Sequence, residues 1–181
     1  MVAGDPAMTE AIARAARVRL MIFDVDGILT DGSLHFGPDG EVIKTFNVLD
    51  GHGIKMLQQS GIITAIISAR QSGIVARRAS DLGISHVQQG IHDKRSAFEQ
   101  LLTQCNLAPD VCGFIGDDVI DLPILSRVGF AVSVPNGHPE VLSRVHYVTQ
   151  AAGGRGAARE VCDLLLRAQG NYEAALAPYL T

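Results

Sequence analysis

The run Arg19-Leu-Met-Ile-Phe-Asp-Val-Asp-Gly-Ile-Leu-Thr-Asp-Gly32 decides the reading of this chain. Leu20 to Phe23 is an apolar strand. It delivers two carboxylates, Asp24 and Asp26, at its C-terminal end, and Gly27 turns the backbone away. A parallel sheet binds ligands in the crevice just beyond its strand ends. Two acids so close together are costly to hold unless a cation neutralises them or one carries a proton. The pair therefore marks a metal and reaction site.

Three later apolar strands end in complementary groups. Ile62 to Ile67 runs into Ser68-Ala69-Arg70, and the short strand at His86-Val87-Gln88 is followed by Gly90-Ile91-His92-Asp93-Lys94. Val111 to Ile115 runs into Gly116-Asp117-Asp118-Val119-Ile120-Asp121. A nucleophile candidate, a hydroxyl, a lysine and a second acidic cluster thus follow one another at successive strand ends.

Strand-like runs alternate with helical patterns, which predicts βαβ units and a mostly parallel sheet covered on both faces, a doubly wound, Rossmann-like α/β fold. Helices are expected at about 51–60, 71–82, 93–106, 118–127, 138–144 and 156–169, with Gly61 and Gly83 ending the first two. Asp50 is the expected N-cap of the first. Residues 33–47 interrupt the alternation: Gly37-Pro38-Asp39-Gly40 between two apolar runs reads as the tip of a β-hairpin. The chain has 181 residues, 47% of them hydrophobic, enough for one domain spanning 1–181. The tail from Gly170 to Thr181 reads as weakly structured, and a short helix is expected from Thr9.

Composition excludes several classes. The net charge is −4 and no basic stripe exists, which argues against a nucleic-acid surface. No run approaches the roughly 20 apolar residues of a membrane helix, and Met1 to Val18 lacks a signal-peptide core. Three cysteines, Cys105, Cys112 and Cys162, have neither zinc spacing nor an even count for disulfides, so reduced thiols in a cytoplasmic protein are expected.

The four strand-end motifs resemble those of the haloacid dehalogenase superfamily over residues 19–122. The closer likeness is to its capless branch of sugar-acid phosphatases, carried by Asp24-Val-Asp-Gly-Ile-Leu-Thr-Asp-Gly, Asp50-Gly-His-Gly-Ile, Arg77-Arg78, Leu82-Gly83-Ile84, Gly116-Asp-Asp-Val-Ile-Asp-Leu-Pro123 and the segment Gly153 to Leu166. One departure stands out: Ser68-Ala69-Arg70 occupies the place where the family often has Thr-Gly-Arg, although serine keeps the hydroxyl. The stretch from Arg70 to Lys94 holds little more than one helix and one strand, so no cap domain fits there.

The resemblance implies a Mg2+-dependent phosphatase working through an aspartyl-phosphate. Asp24 would be the nucleophile, and Asp26 would protonate the leaving oxygen and later activate water. Ser68 would donate a hydrogen bond to the phosphoryl group, and Lys94 would hold nucleophile and phosphate as a compact charge. Asp24, Asp117 and the backbone carbonyl of Asp26 would bind the metal. Asp118 and Asp121 would organise metal-bound water, orient Lys94 or simply favour a helix dipole. The implied substrate is a keto-acid sugar phosphate, foremost 3-deoxy-D-manno-octulosonate 8-phosphate from lipopolysaccharide precursor synthesis, with a sialic-acid-type nonulosonate 9-phosphate as the alternative. Its carboxylate suits an arginine fork, for which Arg70, Arg78 and Arg155 are candidates. An open, capless site and the apolar hairpin residues Leu34, Phe36, Val42, Ile43 and Phe46 predict a homotetramer in which one chain roofs its neighbour's pocket. A signalling receiver domain uses similar groups, but there the acid pair precedes the phosphoacceptor and no acidic cluster follows the lysine.

Overall fold

The computed structural model describes residues 5–180, so the first four residues of the N-terminal segment and Thr181 of the tail lie outside the described residues. Six parallel strands form the main sheet in the order β5-β4-β1-β6-β7-β8: β1 (Leu20–Phe23), β4 (Ile63–Ile67), β5 (His86–Gln88), β6 (Cys112–Ile115), β7 (Phe130–Ser133) and β8 (Tyr147–Val148). A separate antiparallel ribbon joins β2 (His35–Gly37) to β3 (Gly40–Ile43). The helices are α1 (Pro6–Ala15), α2 (Val48–Gln59), α3 (Gly73–Leu82), α4 (Lys94–Cys105), α5 (Leu122–Leu125), α6 (Pro139–Leu142), α7 (Ala157–Ala168) and α8 (Tyr172–Leu176).

Strand β1 shows why the sheet is covered on both sides. Its side chains alternate: Met21 and Phe23 enter a core with α1, α2, α3 and α7, while Leu20 and Ile22 enter a second core with α4, α5 and α6. All four residues are buried, as a central parallel strand requires. Connections leave β1 first towards β4 and later return to β6 on its other side. That reversal opens the crevice at the C-terminal ends of β1, β4 and β6. No helix among the described residues is long and apolar enough to cross a membrane.

Several local expectations need correcting. Helix α2 begins at Val48 rather than near 51, because Asn47 is its N-cap and accepts from the Leu49 amide at 2.8 Å. Asp50 instead reaches across to α7, accepting from the amides of Arg159 at 2.8 Å and Gly156 at 3.3 Å. It caps a helix more than a hundred residues away in sequence. The helix expected at 118–127 is broken into a 3-10 turn, Val119–Asp121, followed by α5. The break follows from Asp121, whose carboxylate folds back to accept the amides of Asp117 and Asp118. The helix expected at 138–144 is the single turn α6, which His138 caps by accepting from the Glu140 amide.

The Gly153-Gly154 turn is a packing device. A Cβ on Gly153 would lie 1.7 Å from the Gly27 carbonyl oxygen, so only glycine lets this loop rest on the turn after β1. The tail also carries structure: α8 and a 3-10 turn, Ala177–Tyr179, return to the body. Tyr172, Ala175 and Leu176 pack on the α2–α7 side, and Tyr179 meets the His52 ring edge-on at 5.3 Å.

Candidate active site

The ladder hydrogen bonds continue one residue past the strands. The Asp24 amide donates to Ile115 O at 3.0 Å, and the Ser68 amide donates to Gln88 O at 2.9 Å. Both side chains are thereby held on the rigid rim of the sheet rather than on loose loops. Gly27, at φ +87°, turns the chain where a Cβ would lie 2.1 Å from Asp117 Oδ2, so β1 and the loop after β6 meet without a side chain between them. The resulting cleft of about 200 Å3 is lined by Asp24, Asp26, Gly32, Ser68, Ala69, Arg70, Asp117, Asp118 and Ile120.

Lys94, the first residue of α4, lies at the floor of this arrangement with 2% exposure. Its ammonium pairs with Asp24 Oδ1 at 3.1 Å and Asp121 Oδ1 at 2.5 Å. Asp121 is fully buried, and its other oxygen takes the two backbone amides already described, so both oxygens are spent on Lys94 and the backbone. Asp118 is exposed and caps the following turn through the Val119 amide at 2.7 Å. His92 is exposed and lines none of this cleft.

Burial governs the acids. Desolvation, reinforced by the charge of Asp121, pushes Asp24 up to about 7 despite Lys94 beside it. The same two causes, with Asp118 added, raise Asp117 to about 6. Burial alone would pull Lys94 down, but Asp24 and Asp121 outweigh it and leave the ammonium above its ordinary value.

Asp24, Asp117 and Asp121 each offer one carboxylate oxygen, and these atoms lie within 4.8 Å of one another. Asp121 is committed to Lys94 and two amides, which leaves Asp24 and Asp117 to face the cleft as hard oxygen donors. That donor set, with its crowded negative charge, fits a small divalent cation such as Mg2+.

Of the three arginines, Arg70 alone lines this cleft. Its Nε lies 3.6 Å from Asp26 Oδ2, and its guanidinium stacks over Phe36 of the hairpin, 5.6 Å from the ring centre. Arg78 lies in a separate cleft beneath Phe46, donating to the Asn47 carbonyl at 3.4 Å. Arg155 is exposed in the turn behind the β1 loop, where its charge is felt at Asp31. Within one chain, therefore, the fold gathers Asp24, Asp26, Ser68, Arg70, Lys94 and Asp117, and leaves Arg78 and Arg155 outside the cleft.

Two site neighbours went unseen in the sequence. Lys44, just past β3, is buried and pairs with Asp26 and, at 3.0 Å, with Glu41. Glu41 also accepts from Ser72 Oγ at 2.6 Å and Arg70 at 3.3 Å. The available signal was two opposite charges three residues apart on an otherwise apolar hairpin strand.

A profile of haloacid dehalogenase-like hydrolases matches residues 78–160. The chain is 47% identical over 170 residues to the 3-deoxy-D-manno-octulosonate 8-phosphate phosphatase of Escherichia coli K12, covering 94% of this chain and 90% of that one. The crystal structure of the Yersinia pestis phosphatase of the same name superposes with a TM-score of 0.89 at 48% identity, covering 91% of this chain and 89% of that one. The Moraxella catarrhalis phosphatase, solved with magnesium, phosphate and a KDO molecule, gives a TM-score of 0.92 at 44% identity over 95% of this chain and 99% of that one.

Proposed function

The chain belongs to the 3-deoxy-D-manno-octulosonate 8-phosphate phosphatase family of haloacid dehalogenase-like hydrolases, and from that premise we propose that it is a Mg2+-dependent phosphomonoesterase cleaving that sugar phosphate to the free sugar acid and phosphate. The observation that carries the reading is the convergence of Asp24, Ser68, Lys94 and Asp117, from four different strand ends, on one cleft and its floor.

Asp24 attacks phosphorus in line, forming an Asp24–phosphorus bond as the ester P–O bond breaks. Asp26 gives its proton to the departing sugar oxygen. Asp26 then takes a proton from water, which attacks phosphorus, breaks the bond to Asp24 and releases phosphate. Ser68 donates its hydroxyl to the phosphoryl oxygens, and Lys94 supplies a fixed positive charge that no solvent needs to reorganise. Asp24, Asp117 and the Asp26 backbone carbonyl would hold Mg2+, which when bound neutralises the negative charge between nucleophile and phosphate. Arg70 is the arginine best situated to fork onto the substrate carboxylate.

The assembly belongs to the same reading. Phe36, Val42 and Ile43 are 63%, 54% and 55% exposed, and Val48 and Leu49 at the start of α2 are exposed as well. A second copy would cover them, and a homotetramer would roof the open cleft. Unpaired thiols at Cys105, Cys112 and Cys162 suit a cytoplasmic enzyme feeding lipopolysaccharide synthesis.

A phosphate-release screen over sugar phosphates tests this directly. The eight-carbon keto acid should be turned over faster than the nonulosonate 9-phosphate and simple hexose phosphates. Chelation should stop the reaction, Mg2+ should restore it, and Asp24→Asn should abolish it. Preference for the nine-carbon acid, or turnover by Asp24→Asn, would overturn the assignment.

A further inference from the structure

Asp26 cannot act on a leaving oxygen unless its carboxylate is held at a fixed angle, and the hairpin supplies what holds it. Lys44 reaches back from β3 to Asp26 Oδ1, with its side chain only 1% exposed against 20% for Asp26. A lysine buried so deeply is costly unless its charge is matched. Here it is matched by two carboxylates, Asp26 and Glu41. Glu41 is fixed in turn by Ser72, which gives its hydroxyl to Glu41 rather than to the end of α3 that it precedes. The Ser72 amide is tied to Gln89 Oε1 at 2.9 Å. Lys44 therefore rests on a rigid chain of bonds running to the loops after β4 and β5. With Oδ1 engaged, Oδ2 is the Asp26 oxygen beside Arg70 Nε.

We propose that Lys44 is a positioning residue for proton transfer: it pins one oxygen of Asp26 so that the other is presented to the leaving oxygen. The proposal rests on the reading of Asp26 as the general acid. The ion pairs of Lys44 run to Asp26 and Glu41, while Asp24 pairs with Lys94 instead; Lys44 acts on the reaction through Asp26. The hairpin is thus part of the reaction apparatus as well as an apolar surface.

The test exploits the leaving group. A primary sugar alkoxide departs slowly unless protonated, whereas nitrophenolate departs without help. The ratio kcat/KM reports only steps through transfer to Asp24, so the later role of Asp26 as base does not enter. In Lys44→Met, kcat/KM for the sugar phosphate should fall about 100-fold, and that for 4-nitrophenyl phosphate less than about 5-fold, as expected when a general acid is displaced. Both esters are assayed on one preparation, so a misfolded fraction cancels from the comparison. If Lys44→Met does not fold, Lys44→Met combined with Glu41→Gln removes charge and counter-charge together and is read by the same ratio. Equal losses on the two esters would overturn the proposal. Asp26→Asn is the control. If it shows the leaving-group difference and the Lys44 variant does not, only the positioning role falls. If Asp26→Asn cleaves both esters at the wild-type rate, the acid assignment falls and the Lys44 proposal with it.

Discussion

At Asp24, burial and neighbouring charge pull in opposite directions. Desolvation and Asp121 raise its carboxyl to about 7, while Lys94 opposes them at 3.1 Å. Asp117, at about 6, is lifted for the same reason. The folded metal-free protein thus binds protons at these sites more tightly than the unfolded chain does. Stability from these groups is full below their unfolded pKa values and is lost as pH rises through about 6 and then about 7. A divalent cation reverses the balance, because binding it requires the deprotonated acids. The melting temperature in chelator should therefore be lower at pH 8 than at pH 5, and Mg2+ should raise it more at pH 8. An equal Mg2+ increment at both pH values would show that these carboxylates do not bind the ion. Asp24, Ser68 and Asp117 were legible in the sequence because each follows an apolar run whose end marks the rim of the sheet, and Lys94 by its place in the order of the strand-end motifs. Lys44 and Glu41 were not, since nothing in a hairpin's own pattern says which loops it will bend over.

Among the elements, the most telling contact is the one between α2 and α7. Asp50 was read as the cap of its own helix, since an acid before a helical pattern usually serves the nearest open amides. Asn47 does that task, and Asp50 receives the Gly156 and Arg159 amides at the start of α7. Sequence pattern reports local periodicity well, which is why four strands of the main sheet, the hairpin and the principal helices could be read, whereas the short strands β7 and β8 on one side of the sheet were not. It carries no record of a side chain spent on a partner far along the chain. Asp50→Ala leaves the first turn of α7 uncapped and should cost about 1–2 kcal/mol in chemical denaturation. Because Asp50 lies outside the Asp24 cleft, kcat/KM should stay close to wild type. A stability unchanged within error would mean that water caps α7 equally well. The break of the 118–127 helix has the same origin: a carboxylate recruited by Lys94 and two amides overrides the apolar spacing, and Pro123 starts α5 afresh.

At the scale of the whole molecule, the hairpin has two duties. Its charged side chains, Lys44 and Glu41, turn inward to meet Asp26, Arg70 and Ser72. Its apolar side chains Leu34, Phe36, Val42 and Ile43 stay exposed, Phe36 beneath the Arg70 guanidinium, while Phe46 packs against the body. Monomers rarely leave so many large apolar side chains of one short hairpin uncovered. If the proposed homotetramer covers them, the mass in solution should be about four times the 19.2 kDa of one chain, as measured by light scattering. Replacing Phe36 and Val42 by aspartate puts charge into that contact and should yield smaller species, since burying unpaired carboxylates against an apolar partner is unfavourable by several kcal/mol. A roof supplied by the neighbour serves the large substrate more than a small one. The dissociated variant should therefore lose efficiency on the sugar acid phosphate, mainly through a higher KM, and keep most of its rate on 4-nitrophenyl phosphate. A wild-type protein of monomeric mass at working concentration would end the assembly argument, and equal losses on both esters would separate the patch from substrate recognition.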